Sequence, residues 1–290
     1  MATPSPSTTS PSWDLVIRPK TGWFDLHLYD LWRYRDLIGM FVWRDFVANF
    51  KQTILGPLWF IIQPLLTTVT FTIVFGNIAK LGTDGLPSLL FYMSGIIGWS
   101  YFSDCLNSTS STFTSNAGIF GKVYFPRLAV PLSIVISSLL KYGIQFAFFL
   151  CFFVYYYFFT SAAIHPNPVL LLTPLLLLIM AGLGLGCGII ISSLTTKYRD
   201  LRFLVGFAVQ LAMYATPVIY PLSKLQGSRF LWLVLLNPMT PVIETFRYGF
   251  LGAGTFRPEY LALSTGITAL LLFICILLFT HIEKTFMDTV

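Results

Sequence analysis

Long uncharged apolar stretches alternate with short charged ones along this chain. Residues 54–79, 85–103, 142–196, 203–223 and 260–282 contain no Asp, Glu, Lys or Arg. A helix needs about 20 apolar residues, at about 1.5 Å rise each, to cross about 30 Å of hydrocarbon. The pattern therefore predicts an all-α integral membrane protein with six transmembrane helices, at about 57–79, 86–110, 128–158, 168–194, 202–221 and 260–281. HPNP at 165–168 divides the longest window, and LGTDGLP turns the chain after the first span. Six crossings put both termini on one side.

Two stretches break the pattern. Residues 222–259 are apolar but interrupted by Asn237-Pro238, Pro241, Glu244 and Arg247. Two short arms around a proline break suit a re-entrant outer hairpin before the last helix, because irregular backbone at membrane depth needs protein or a water-filled cavity beside it. Between Leu28 and Phe50, a helix places Leu31, Tyr34, Ile38, Phe41 and Val42 near one face, with Asp30, Arg33 and Asp36 off it. With Trp32 and Trp43 beside Arg33, Arg35 and Arg44, it reads as an amphipathic helix lying in the cytoplasmic interface. The resulting division is an irregular Pro/Ser/Thr-rich tail at 1–24, cytoplasmic helices at 25–53, and the membrane domain at 54–290.

Composition agrees. The chain is 56% hydrophobic and 10% charged, where soluble domains carry about 25% charged residues. Its net charge of +6 does not point to nucleic acid, because the cations sit in short connecting stretches. With the N-terminus inside, the cytoplasmic segments hold 12 Lys and Arg, against the five outside, namely Lys80, Lys224, Arg229, Arg247 and Arg257. Positive charge favours the cytoplasmic side, so both termini are placed there. The four cysteines are scattered singly through apolar segments, without the close pairs of a zinc or dithiol site.

Gly121-Lys122 resembles a phosphate loop only superficially. Such a loop needs a first glycine where this chain has Asn116, and Ser or Thr where it has Val123. The stretch instead offers Ile119, Phe120 and Tyr124, expected to be exposed beside the cations Lys122 and Arg127, which suits docking onto a soluble partner or simply connects two spans. Lys141, about 21 Å past Arg127 along a helix, is a cation near mid-membrane and hence a functional candidate. It either attracts an anionic ligand or pairs within the bundle, with Asp104 the nearest carboxylate. The run FAFFLCFFVYYYFF at 146–159 offers Phe152, Tyr155, Tyr156 and Tyr157 as a stacking path for a ligand or as an interfacial belt. Gly182, Gly184, Gly186 and Gly188 form two overlapping Gly-xxx-Gly pairs suited to close helix approach.

Taken together, ILGPLWFIIQPLL (54–66), GKVYFPRLAVPL (121–132), KYRDLRFLVGFAVQLAMYATPVIYPLS (197–223), LNPMTPVIETFR (236–247) and HIEKTFMDTV (281–290) resemble the membrane subunit of ABC exporters for polysaccharides. These carry O-antigen, capsule or teichoic acid. The resemblance covers roughly residues 28–290. It implies a coupling helix at about 115–127, with Ile119, Phe120, Lys122, Tyr124 and Arg127 contacting a separate ATPase, and a second contact around Arg199 and Asp200. It also implies an interface helix bearing Trp32, Arg33, Arg35 and Asp36, a gate-leading segment at 44–56, and a periplasmic gate at about 228–253 with Asn237, Pro238, Glu244 and Arg247. The implied assembly is a homodimer with two cytoplasmic ABC ATPase subunits in the bacterial inner membrane, handling undecaprenyl-linked polysaccharide among membrane lipid. ATP and magnesium would bind the partner subunit, leaving this chain without cofactor or catalytic residues. The alternatives are a membrane enzyme modifying lipid-linked sugars, for which the dispersed His27, His165 and His281 give no converging acid and base, or a related permease for another amphiphile.

Overall fold

The computed structural model describes residues 28–120, 125–160, 162–195, 198 and 200–289, with backbone alone at 28–30, 117 and 280–289. The tail at 1–24, Lys122, Tyr124 and Arg199 lie outside the described residues. Every regular element among those described is helical: α1 (Leu28–Arg33), α2 (Arg35–Ala48), α3 (Trp59–Phe71), α4 (Ser88–Ser110), α5 (Thr112–Ser115), α6 (Ala117–Phe120), α7 (Ala129–Phe159), α8 (Thr173–Thr195), α9 (Leu201–Tyr214), α10 (Leu231–Leu236), α11 (Met239–Leu251) and α12 (Pro258–Thr289).

Among the described residues, four helical stretches are long and apolar enough to cross a membrane: Gly56–Ile78, Ala129–Phe159, Pro168–Thr195 and Pro258–Phe279. Two of the six expected spans are not among them. α4 has the length but carries Ser, Asn, Thr and Asp104, and α9 is only 14 residues long. The helix expected to reach residue 221 stops at Tyr214. Pro217 explains this, since it lacks a donor and disfavours helical backbone at the residue before it.

α4 is the hub of the bundle. It lies against α8 and α7, and also touches α3, α9 and α11. α8 sits between α4 and α12, and its alternate glycines make both approaches close. A Cβ on Gly184 or Gly188 would stand 2.5 Å from Cys105 Cβ or 2.6 Å from Thr109 Cβ of α4, while one on Gly182 would stand 2.6 Å from Thr268 of α12. The glycine pattern thus serves packing within the bundle.

α3 contains Pro64, which cannot donate to the Phe60 carbonyl one turn back. Gln145 of α7 supplies the missing donor, its Nε2 lying 3.2 Å from that oxygen. α3 then continues into a π-helical turn at Thr72–Ile78.

The expected helix over 28–43 is broken at Tyr34 into α1 and α2. Leu31 and Ile38 are buried, with Tyr34, Phe41 and Val42 beside them, in one cluster with Phe113, Phe120, Phe125 and the start of α7. Trp32 and Trp43 project outward from the same helices.

Candidate functional site

A cleft of about 270 Å³ opens between α3, α4, α7 and α9. Its walls carry Gln63 of α3, Ser103 and Asn107 of α4, and Gln210 of α9. The amides are exposed, Gln63 and Gln210 on the mostly apolar α3 and α9 and Asn107 on the more polar end of α4. A polar group facing hydrocarbon there loses several kcal/mol of hydrogen bonding, so such side chains belong beside water or a polar ligand.

Inside the cleft, Lys141 Nζ of α7 meets Asp104 Oδ2 of α4 at 2.8 Å. Counted from their helix ends the two residues sit at different depths, and the four-carbon lysine stem is long enough to bridge an offset. The ring of Phe60 lies 5.4 Å from the same ammonium. Lys141 is therefore flanked by a carboxylate and an aromatic face.

The aromatic run of α7 divides by helical period. Phe146 and Phe149 pack on Phe246 and Phe250 of α11, with ring centroids 5.6–6.2 Å apart. Phe152 stacks edge-on to Phe148 at 5.0 Å, and Tyr156 is half-buried against the main core. Tyr155 and Tyr157 are exposed on the outer face of the helix. The cleft is lined by Lys141 but by none of Phe152, Tyr155, Tyr156 and Tyr157.

At the opposite end of α9 the chain turns and enters α10 and α11. Asn237 fastens this corner, donating to Thr216 Oγ1 at 2.8 Å and accepting from the Met239 amide at 3.0 Å. Ser264 of α12 donates to the Pro238 carbonyl at 2.7 Å. Arg247 is wholly buried. Its guanidinium donates to the carbonyls of Pro217, Val218 and Phe91, to Ser94 Oγ and to Glu244. It also lies 3.8 Å from the Phe91 ring centroid. Gly95 makes room for it, since a Cβ there would stand 2.7 Å from Nη2. Glu244 in turn accepts from the Thr255 amide at 3.0 Å.

At the end of the bundle that carries α1 and α2, Arg202 Nη2 donates to Thr114 Oγ1 at 2.7 Å, just before the segment expected to couple. Asp200 is exposed at the start of α9 and Ile119 is partly covered. Phe120 is not the exposed docking residue expected from the sequence. It is 4% exposed, packed between Phe113 and Phe125. Arg127 is buried as well, its guanidinium 5.9 Å from the Phe120 ring. Arg33, Arg35 and Asp36 are exposed, and Arg35 stands 5.8 Å from the Trp32 ring.

Residues 36–251, from α2 to the last residue of α11, match the ABC-2 type transporter family. The chain belongs to that family. This ABC-2 chain is 26% identical to the O-antigen export system permease protein RfbA of Myxococcus xanthus, over 75% of its own length and 81% of the relative's. It is 26% identical to RfbA of Klebsiella pneumoniae, covering 81% and 87% of the two chains. It is 23% identical to the polysialic acid transport protein KpsM of Escherichia coli, covering 85% and 93%. As an ABC-2 transporter it is a transport subunit, not an enzyme.

The family region of this transporter contains both the cleft and the Arg247 network, and leaves α12 outside. Sequence reasoning missed Gln63, Asn107 and Gln210 as site residues. The available signal was an amide on each of three apolar helices, but which faces converge is a tertiary property.

Proposed function

We propose that this chain is the transmembrane subunit of an ATP-driven exporter that moves lipid-linked polysaccharide, O-antigen first among the candidates, from the cytoplasmic to the outer side of the bacterial inner membrane. The observation that carries the reading is the polar cleft set into apolar helices of an ABC-2 chain. It is supported by relatives named for O-antigen export and polysialic acid transport, matched over 81–93% of their own lengths.

In this reading α4 and α9 complete six crossings, α10 and α11 form a re-entrant outer hairpin, and both termini are cytoplasmic. α1 and α2 lie in the membrane interface. Two copies form the pore and two copies of a separate ATPase drive it, ATP and magnesium binding there. Closure of the ATPase pair pushes the segment from α5 to Arg127, and the Arg202–Thr114 hydrogen bond passes that push to α9, which walls the cleft. The hairpin gates the outer exit, with Asn237, Pro238, Glu244 and Arg247 holding it to α4 and α12.

The test is deletion of the gene, followed by locating the lipid-linked polymer. Accumulation of full-length polymer inside the cell, reversed by the chain only together with its ATPase, is the expected result. A shortened or chemically altered polymer on the outer side overturns the reading in favour of an enzyme.

A further inference from the structure

We propose that Asp104 makes the cleft a site for uncharged stretches of glycan, by neutralising Lys141 in a pocket otherwise built from hydrogen-bonding amides and hydroxyls. The inference rests on the polysaccharide-export reading and narrows its substrate.

Among the described residues lining the cleft, Asp104 and Lys141 are the charged ones. Their contact at 2.8 Å leaves the site with no net charge. Both are about one-third exposed or less, at 34% and 27%, so the pair is partly withdrawn from water, where its attraction is stronger than at a free surface. With Phe60 on its other side, the ammonium is an engaged cation rather than an open anion receptor.

What remains open is neutral and hydroxyl-like in its demands. Gln63 and Gln210 each bring two amide donors and a carbonyl acceptor, Asn107 keeps its carbonyl and one donor after donating to Ser103 Oγ at 3.1 Å, and Ser100 and Ser103 bring hydroxyls. That supply of both polarities matches sugar hydroxyls, which also donate and accept. The volume, about 270 Å³, lies near the lower end of small-ligand sites, about 300 Å³. It suits one or two sugar units at a time. A sugar bearing a carboxylate would give up hydration in a partly desolvated site whose cation is already paired, so its charge would go uncompensated.

The experiment uses the chain with its partner ATPase in lipid nanodiscs and measures equilibrium binding of two fluorescently labelled probes, maltoheptaose as the neutral glycan and a sialic acid heptamer as the anionic one. Wild type is expected to bind maltoheptaose about tenfold or more tightly than the sialic acid heptamer. Asp104→Asn, which uncovers Lys141, is expected to shift the ratio about tenfold towards the sialic acid heptamer. Asp104→Asn combined with Lys141→Gln is expected to restore the wild-type preference, as is the exchanged pair Asp104→Lys with Lys141→Asp, which guards against a folding defect in the single variant. Equal binding of the two probes, preference of wild type for the anionic one, an unchanged ratio in Asp104→Asn, or no binding of either overturns the proposal. The deletion experiment reads where polymer accumulates whatever its charge. A negative result here with accumulation there removes only the charge assignment, whereas no accumulation removes the export reading itself.

Discussion

Arg247 reaches back one helical turn to Glu244, Nη1 to Oε1 at 3.5 Å, in a setting where both side chains are at most 3% exposed. The distance is long for an ion pair, and most of the arginine's hydrogen bonds run to backbone carbonyls of α4 and of the turn after α9. The pair is thus the centre of a clamp on three chain segments. Breaking a buried pair from one side leaves an uncompensated charge and costs about 3–5 kcal/mol. Arg247→Ala is expected to abolish recovery of a monodisperse, folded chain. Arg247→Lys is expected to fail nearly as badly, because an ammonium cannot make the forked set of bonds. Size-exclusion chromatography of a fluorescent fusion checks both, and wild-type behaviour of the lysine variant would deny the clamp.

Glycines of α8 differ in the space around them. Gly184→Ala forces a methyl against Cys105 and the Phe102 carbonyl, and overpacking of this kind costs about 1–3 kcal/mol. Gly186→Ala meets Leu271 no closer than 3.5 Å, an ordinary contact. Thermal unfolding in detergent is therefore expected to fall for the first and to hold for the second.

Phe120→Asp tests the corrected placement of that side chain. Burying a carboxylate among Phe113, Phe125 and Arg127 is expected to unfold this end of the bundle, by about 3–5 kcal/mol for the lost aromatic alone. Phe120→Leu is expected to cost much less. Limited proteolysis at the segment after α6 reads the difference. An intact, folded Phe120→Asp chain that merely fails to stimulate its ATPase would instead return the residue to a docking role.

Gln145→Leu removes the donor that satisfies the Phe60 carbonyl and is expected to destabilise the bundle by about 1–3 kcal/mol. Pro64→Ala restores an in-helix donor to the same carbonyl. The two substitutions together should therefore cost less than their separate effects predict, and a double-mutant cycle on melting temperature measures the coupling.

The sequence by itself determined a helical membrane chain, because uncharged windows of this length have few other stable environments and backbone groups in lipid must pair within a helix. It also determined most helix limits. The spans expected at 128–158 and 168–194 appear as Ala129–Phe159 and Pro168–Thr195, and the interrupted stretch appears as α10 and α11. Local rules sufficed there, since prolines and the loss of apolar residues act within a turn or two of chain. The burial of Phe120 and the early end of α9 depart from the pattern along the chain, the first because exposure is not a local property and the second because Pro217 ends the helix within an uncharged window. Only the tertiary structure decided that Lys141 meets Asp104, that Gln63, Asn107 and Gln210 share a cleft, and that Arg247 is clamped within the fold. Each of these depends on how helices distant in sequence are rotated and staggered, and that is set by the steric fit of glycine-lined and aromatic faces across the bundle, not by the pattern along any one helix.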